Sequence, residues 1–485
     1  MDAVSSGSPT YLGVDLGTTN VKAQIVDRTG AILSSGSHAV AIQYTADGAA
    51  EQDMDDIWAA AASAVGQAAA DGAGKNVRTV GISSQGGALQ VLDSSGRASG
   101  RVIGWQDSRA RPWDEEATRR LGADWFIHHT GYPRSSSAAG QIARLRAQGL
   151  LPRGFQVGWV GDLVVRELCG TRAHDPTSLS EAGLLNPGSG HEDADLLREL
   201  GLEARQLPSL LSADQAAGRL LPAVAERLGL PAGIPVGPAI HDQYAAATGC
   251  AAVRPGDTML GAGTAWVILA VTPRLEPPVG GVALVGRHPV PGLFGQMLSM
   301  VNGGSCVSWG LRTLALGDLG AGGVDAVLAG VPAGCEGLRF RPLLSEIGGA
   351  GLPPGAAGSI RGLRLGHTPA HILRALVEGL ACELGRYLSM MKRGGVDVGR
   401  LVMCGKASSS RVTPGIIADT TGLPVDCVSI PETSSLGAAI LGRLLVEPQP
   451  GLAPLAEQMR PSVRRVEPGS GTPAARAVLE EYLAW

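Results

Sequence analysis

Residues Gly13–Lys22, GVDLGTTNVK, constrain the fold of this chain more than any other stretch. An apolar strand carries an aspartate into a Gly-Thr-Thr turn, and an alternating strand, NVKAQIVD, runs out of it. Two strands joined this tightly form an antiparallel hairpin. Glycine alone would satisfy the turn, so the acid, the two hydroxyls and the lysine need a further reason. The stretch is not a P-loop, because it lacks GxxxxGK[ST] and opens into a strand rather than a helix. Gly17, Thr18 and Thr19 present backbone N–H groups and hydroxyls to one concavity, which suits phosphate oxygens. Asp15 could then face a hydrated Mg²⁺, and Lys22 could reach a phosphate as a point charge. The plainer alternative is a hairpin in which Asp15 closes an Asx-turn and Lys22 is a solvated strand residue.

The hairpin heads a longer pattern. AILSSG and RTVGISSQ are further strands, and a helix over Asp56–Ala70 falls between them. A β-β-β-α-β order fits a mixed sheet better than a doubly wound one. At 485 residues the chain suits two domains of roughly 200–250 residues each. DTMLGAGTAWVILAVTP, from Asp257, echoes the opening: strand, Gly-Thr turn, strand, with Thr264 standing as Thr18 does. The echo suggests two related halves, although Gly-Thr turns are common in sheets. The longest helix is TPAHILRALVEGLACELGRYLSMMKRGG, with Thr368 as N-cap, Pro369 at the first helical position, and Leu376, Leu380, Leu384 and Leu388 along one face. VGRLVMCGKASSS then reads as a strand entering a small-residue loop, TPGIIADTTG as a helix and LPVDCVSI as a strand. The proline-rich VEPQPGLAPLAEQMRPSVRRVEPGSGTP is expected to run irregularly over the surface to a final helix, AARAVLEEYLAW.

Composition excludes several classes. Net charge is −4, and the few basic clusters sit among acids, so no nucleic-acid partner is expected. The alanine-rich DIWAAAASAVGQAAADG is broken by polar residues, and no run is long enough to span a bilayer. The start, MDAVSSGSPT, has no signal-peptide pattern, which implies a cytoplasmic location. Seven scattered cysteines without a CxxC pair suggest buried thiols rather than disulfides or a zinc site.

Other residues carry possible chemistry. Asp242, in AIHDQYAAATG, is an N-cap for the helix that follows, or a general base at the end of a buried strand; both can hold. His367 and His371 have i, i+4 spacing, but Thr368 and Pro369 start a helix between them, which favours a capped helix over zinc. SSQGGALQVLD and GWQDSRA follow strand-like runs and gather an amide, an indole and an acid, yet taken in isolation ordinary turns account for them better.

Taken in order, these passages resemble the FGGY carbohydrate kinases from about Tyr11 to Arg443. The phosphate motif DxGTTxxK is Asp15, Gly17, Thr18, Thr19 and Lys22; EQD is Glu51-Gln52-Asp53; WxDxR is Trp105, Asp107 and Arg109. The aspartate-glutamine pair at the domain junction is Asp242-Gln243, the second Gly-Thr is Gly263-Thr264, and LGAA is Leu436–Ala439. The resemblance implies an α/β, actin-like ATPase fold with two ribonuclease H-like domains and a cleft between them. It implies a flexible tail over 1–10, a sugar-binding domain over 11–250, a nucleotide-binding domain over 251–445, and a surface segment with a C-terminal helix over 446–485.

The implied activity is ATP-dependent phosphorylation of a primary hydroxyl on a ketose (xylulose or a related pentulose) or polyol, with Asp242 as general base. The alternatives are a catalytically degenerate sugar-binding regulator on the same fold and, more remotely, an actin-like ATPase acting on a partner protein. Asp15 and Asp242 would position Mg²⁺. ATP would meet Gly17, Thr18, Thr19, Lys22, Gly263, Thr264, Gly304, Gly405 and Lys406; the sugar would meet Gln85, Gly86, Gly87, Trp105, Asp242 and Gln243. A homodimer is possible, since dimers are common in the family. The chain also departs from the family. Gln-Met-His-Gly of xylulokinases is Gln85-Gly86-Gly87-Ala88, so the ketose-contacting histidine is missing and two glycines should enlarge the pocket or let backbone make the contacts. Glycerol kinases carry Gln-Arg-Glu-Thr there and a tyrosine where this chain has Ser135–Ser137, which argues against glycerol. In the adenosine loop Gly405-Lys406-Ala407-Ser408-Ser409-Ser410 keeps only the first glycine, Gly263-Thr264-Ala265 replaces Gly-Thr-Ser, and Ser345-Glu346-Ile347 replaces Gly-Glu-Arg.

Overall fold

The computed structural model describes residues 7–136, 138–317, 319–345, 349–353 and 355–485; most of the N-terminal tail, Ser137, Glu346 and Ile347 lie outside the described residues. The opening hairpin is β1 (Thr10–Leu16) and β2 (Asn20–Val26), antiparallel, with Asp15 opposite Lys22. β3 (Ile32–Ala39) pairs antiparallel with β2. Helix α1 spans Met54–Ala69, because the Asp53 carboxylate accepts from the Asp55 N–H and fixes the cap ahead of the expected start at Asp56. The chain returns as β4 (Val77–Ser84), parallel to β1. Far along the sequence come α2 (Pro176–Glu181), β5 (Pro235–His241), which is parallel to β4, and α3 (Asp242–Gly249). The order β3-β2-β1-β4-β5 is therefore an antiparallel triplet continued by parallel strands, the mixed sheet expected. SSQGGALQVLD is only in part a loop, since Leu89–Leu92 is a buried strand of a separate five-stranded sheet.

The second half repeats this plan. β6 (Asp257–Ala262) and β7 (Trp266–Thr272) form the echoed hairpin, and Phe294–Ser299 adds antiparallel to β7. Helix α4 (Gly304–Thr313) follows. Beyond α5 (Pro369–Arg393), β8 (Arg400–Cys404) runs parallel to β6 and β9 (Val425–Val428) parallel to β8. At the start of α5 the Thr368 N–H donates to His371 Nδ1, so the HTPAH pair builds a capping box. Leu376, Leu380, Leu384 and Leu388 are all buried, as their spacing predicts.

Helix α6 (Thr433–Leu444) joins the halves. It lies against α3, β1 and β4 at backbone distance. A Cβ on Gly437 would stand 1.8 Å from the Ala245 carbonyl oxygen, one on Gly13 1.8 Å from that of Ser435, and one on Gly81 1.8 Å from that of Ala438. Glycine is required at all three positions, which explains the small-residue run Leu436–Ala439.

The segment after α6 is not an irregular surface run. Leu452–Gln458 is a helix, α7, whose Leu452, Leu455 and Ala456 are buried with Met459 in the core between the halves. Val463–Val466, β10, pairs antiparallel with β9 at the sheet edge, and α8 (Thr472–Ala484) ends the chain. The prolines mislead because Pro454 sits in the first turn of α7 and Pro461 before β10, where neither breaks a backbone ladder. Among the described residues no helix is long and apolar enough to cross a membrane.

Candidate active site

Three parallel strands set the site. Asp15 on β1 and Ile240 on β5 both pair with Ser83 of β4, so Asp15 and Asp242 flank the end of one central strand. Ligands of open α/β sheets collect at these carboxyl ends. The Ser83 hydroxyl donates to Asp15 Oδ1 at 2.7 Å, and the Gln243 amide donates to Asp242 Oδ1 at 3.1 Å. Burial pushes both carboxyls up to about 6; the charge of Asp242 pushes Asp15 further the same way, while Gln243 holds Asp242 down. Asp15 thus bonds the neighbouring strand rather than simply closing a turn. Asp242 is the first residue of α3, not its cap. His241 stays extended because it pairs with Ser84 in the sheet, so the cap position falls on it.

A bracket of side chains holds the first hairpin. The Gly17 N–H closes the turn on the Asn20 carbonyl at 3.1 Å. Gln52 Nε2 donates to the Thr18 carbonyl at 2.9 Å, Trp105 Nε1 to Thr18 Oγ1 at 3.0 Å, and Gln85 Nε2 to Gln52 Oε1 at 3.0 Å. Behind them Arg109 ties Glu51 to the fully buried carboxylate of Asp107. The EQD and WxDxR motifs are therefore one hydrogen-bonded scaffold under Thr18. Lys22 reaches across to Glu432, just before α6, at 3.5 Å.

The second hairpin is held by its own neighbours. The N–H groups of Gly304 and Ser305, opening α4, donate to the carbonyls of Gly263 and Thr264 at 3.0 Å each. Gly405 has a left-handed φ of 81°, and a Cβ there would meet the backbone of Ala262 and Gly263 at 3.0–3.2 Å. Only glycine fits, which is why this one glycine of the loop is kept. A Cβ on Gly261 would stand 3.2 Å from Gln243 Oε1, so the acceptor end touches the second hairpin. Lys406, by contrast, is exposed on the loop.

Two site residues were missed. Glu181 ends α2, and His241 precedes Asp242. Both fill the space a Gly86 side chain would need: a Cβ there would stand 2.2 Å from Glu181 Cγ and 2.8 Å from His241 Nε2. The expected pocket enlargement at Gly86 gives way to this packing. Gly87 has a φ of 71° and is a turn glycine. His241 Nε2 lies 3.2 Å from Asp242 Oδ1, and burial depresses its basicity, so the ring is neutral. The one available signal was the histidine itself, adjacent to the aspartate in sequence; nothing local marks Glu181.

Asp15 and Asp242 suit a hard divalent cation that keeps most of its water: two neighbouring carboxylates, each held high by burial, with Asp15 raised further by the charge of Asp242. Among the described residues no group of three or more His, Cys, Asp and Glu side chains gathers into a cage.

Models of the FGGY family of carbohydrate kinases match residues 10–249 (N-terminal domain) and 258–445 (C-terminal domain). A probable L-xylulose kinase of Pasteurella multocida is 28% identical over 449 residues, covering 89% of each chain. A glycerol kinase of Symbiobacterium thermophilum is 29% identical over 456 residues, again covering 89% of each. The crystal structure of xylulose kinase from Rhodospirillum rubrum superposes with a TM-score of 0.87 at 23% identity, covering 98% of both chains. The fold is the two-domain, actin-like one.

Proposed function

The chain belongs to the FGGY family of carbohydrate kinases, and from that premise we propose that it phosphorylates a primary hydroxyl of a ketose, xylulose or a related pentulose, or of a polyol, with Asp242 as the general base. One observation carries this reading: Asp15 and Asp242 flank the end of β4, close enough for the charge of Asp242 to raise Asp15, and Gln243 beside Asp242 reaches the strand that enters the second Gly-Thr turn. Residues 11–250 supply the sugar side and 251–445 the nucleotide side.

ATP supplies the phosphoryl group, and a Mg²⁺ held between Asp15 and Asp242 would offset its charge. The Gly17–Thr19 turn, through Thr18 and Thr19, and Gly263–Thr264, with the start of α4 behind the latter, offer backbone N–H groups and hydroxyls to phosphate oxygens, while the Gly17 N–H closes the turn itself. Asp242 takes the proton of the acceptor hydroxyl as that oxygen attacks the γ-phosphorus and the bond to the ADP oxygen breaks. His241, buried, packs beside Asp242 with Nε2 3.2 Å from Oδ1 and limits where the carboxylate can move. Positioning and charge stabilisation account for the acceleration. Intact Asp15, Lys22 and Asp242 favour an enzyme over a degenerate regulator.

A coupled ADP-release assay with Mg²⁺-ATP tests the reading on D- and L-xylulose, D- and L-ribulose, gluconate, erythritol and glycerol, beside a blank without sugar. A rate well above blank is expected with a pentulose or polyol. Catalysis carries a pH signature as well. The Asp242 carboxyl, raised to about 6, is a base only when ionised. Its coupling to Asp15 makes this a property of the pair. The acidic limb of kcat/KM is expected at or below about pH 6, because Mg²⁺ beside the pair would draw it down, with a fall of about tenfold per pH unit below it. An acidic limb that is unchanged in Asp242→Asn would exclude Asp242 from proton transfer.

A further inference from the structure

Glu181 is a half-buried carboxylate, and its Oε2 is buried with no hydrogen-bond partner among the described residues. Burial and the charge of Asp242 both oppose its ionisation, and His241, itself held neutral by burial, supplies no standing counter-charge. Among the described residues no lysine or arginine bears on Glu181 or on Asp242. A carboxylate left this way is costly unless a ligand donates to it. Two neighbours are in the same condition. Gln85, 4% exposed, has Oε1 unpartnered, and His241, 5% exposed, has Nδ1 unpartnered while Nε2 faces Asp242. The acceptor end of the site is thus walled by hydrogen-bond acceptors, with no cation among them. Gly86 makes the wall possible, since any side chain there would displace Glu181 and His241.

We propose that Glu181 is the specificity-determining residue of the acceptor end: its carboxylate takes a hydrogen bond from a hydroxyl of a neutral ketose or polyol, other than the hydroxyl that is phosphorylated, and with Asp242 it turns away anionic sugar acids. The proposal rests on the kinase reading above. A neutral polyhydroxyl compound brings only donors and weak acceptors to this wall. The carboxylate of an aldonate would meet the like charge of Glu181, which the Mg²⁺ proposed beside Asp15 and Asp242 does not pair, and this costs more than a neutral contact gains.

The test is steady-state ADP release by the full chain with D-xylulose, L-xylulose, erythritol and D-gluconate, for the wild type, Glu181→Gln and Glu181→Ala. Thermal melts of each confirm folding. With the neutral substrate that the wild type uses best, both variants are expected to raise KM for the sugar about tenfold or more, as loss of a hydrogen bond to a charged group does. They should leave kcat within about threefold and KM for ATP within about twofold. Wild-type turnover of D-gluconate is expected at blank level. Two results would overturn the proposal alone: a sugar KM within about twofold of wild type in both variants, or wild-type turnover of gluconate as efficient as that of the neutral sugars. The gluconate arm needs no variant, so it stands even if the substitutions unfold the protein. Wild type that neither turns over nor binds, by calorimetry, any of the neutral sugars would overturn the kinase reading and this proposal with it.

Discussion

Asp242→Asn is expected to lower kcat by about 10²–10⁴-fold, the usual weight of a positioned general base, while the binding of sugar persists. The asparagine keeps the shape of the side chain and the contact with Gln243, and loses the capacity to take a proton together with the charge that would help Asp15 hold Mg²⁺. The same change is expected to stabilise the fold at pH 7. Asp242 is held near 6 in the native protein, against 3.8 for an unperturbed aspartate. Between those values the native state binds more protons than the unfolded one, so stability falls as pH rises across that window, and the full penalty stands above pH 6. A shift of this size corresponds to at most about 3 kcal/mol; the side chain is 26% exposed, so solvent screens part of it. The variant should therefore melt higher than wild type at pH 7 and lose that advantage at pH 4. Turnover within a few-fold of wild type would remove Asp242 from the base role; an unchanged melting temperature at both pH values would mean that burial does not hold its charge in check.

What could be read from the sequence was local. The hairpin around Gly17, its register and its echo at Gly263 follow from turn chemistry and alternation within about twenty residues, and the cap of α5 follows from Thr368-Pro369. The misassigned features depend on pairing at long range. His241 takes the cap position of α3 because Ser84, far back in the chain, keeps it in the sheet. Glu181 reaches the site because the short strand Ala173–His174 pairs beside β5 and carries α2 with it; within DPTSLSE it is an ordinary acid in an ordinary helix. Gly86 looked like open space in the sequence and is filled in the fold by those same two side chains. The proline-rich C-terminal segment looked irregular because its apolar positions serve a core built by α3 and α6, which its own composition does not reveal.

Gly437→Ala is expected to be, with the same change at Gly13 or Gly81, among the most damaging single-methyl changes in the chain outside the chemistry. The added Cβ would stand 1.8 Å from the Ala245 carbonyl oxygen and 3.0 Å from the Gly249 nitrogen, all backbone of α3, which has no rotamer with which to yield. The two helices must part, and α6 cannot retreat, because Gly13 and Gly81 already bring β1 and β4 against its other side at the same distance. Overpacking of this kind costs about 3 kcal/mol or more, against the gain of up to about 1 kcal/mol that alanine normally brings to a helix. Gly66→Ala supplies the contrast: it lies in α1 with nothing within 4 Å of its would-be Cβ, and should be neutral or slightly stabilising. Urea denaturation of both variants reads the difference as opposite shifts of the midpoint. The consequence extends to catalysis, since α3 begins at Asp242 and the Ser434 hydroxyl of α6 donates to the Asp242 carbonyl at 3.3 Å. Separating the helices moves the base relative to Asp15, so the Gly437→Ala protein that remains folded at low temperature should show a lower kcat as well as a lower midpoint. A midpoint matching that of Gly66→Ala would mean that α3 and α6 do not meet at backbone distance, and a loss of stability with kcat intact would separate the joint between the halves from the placement of Asp242.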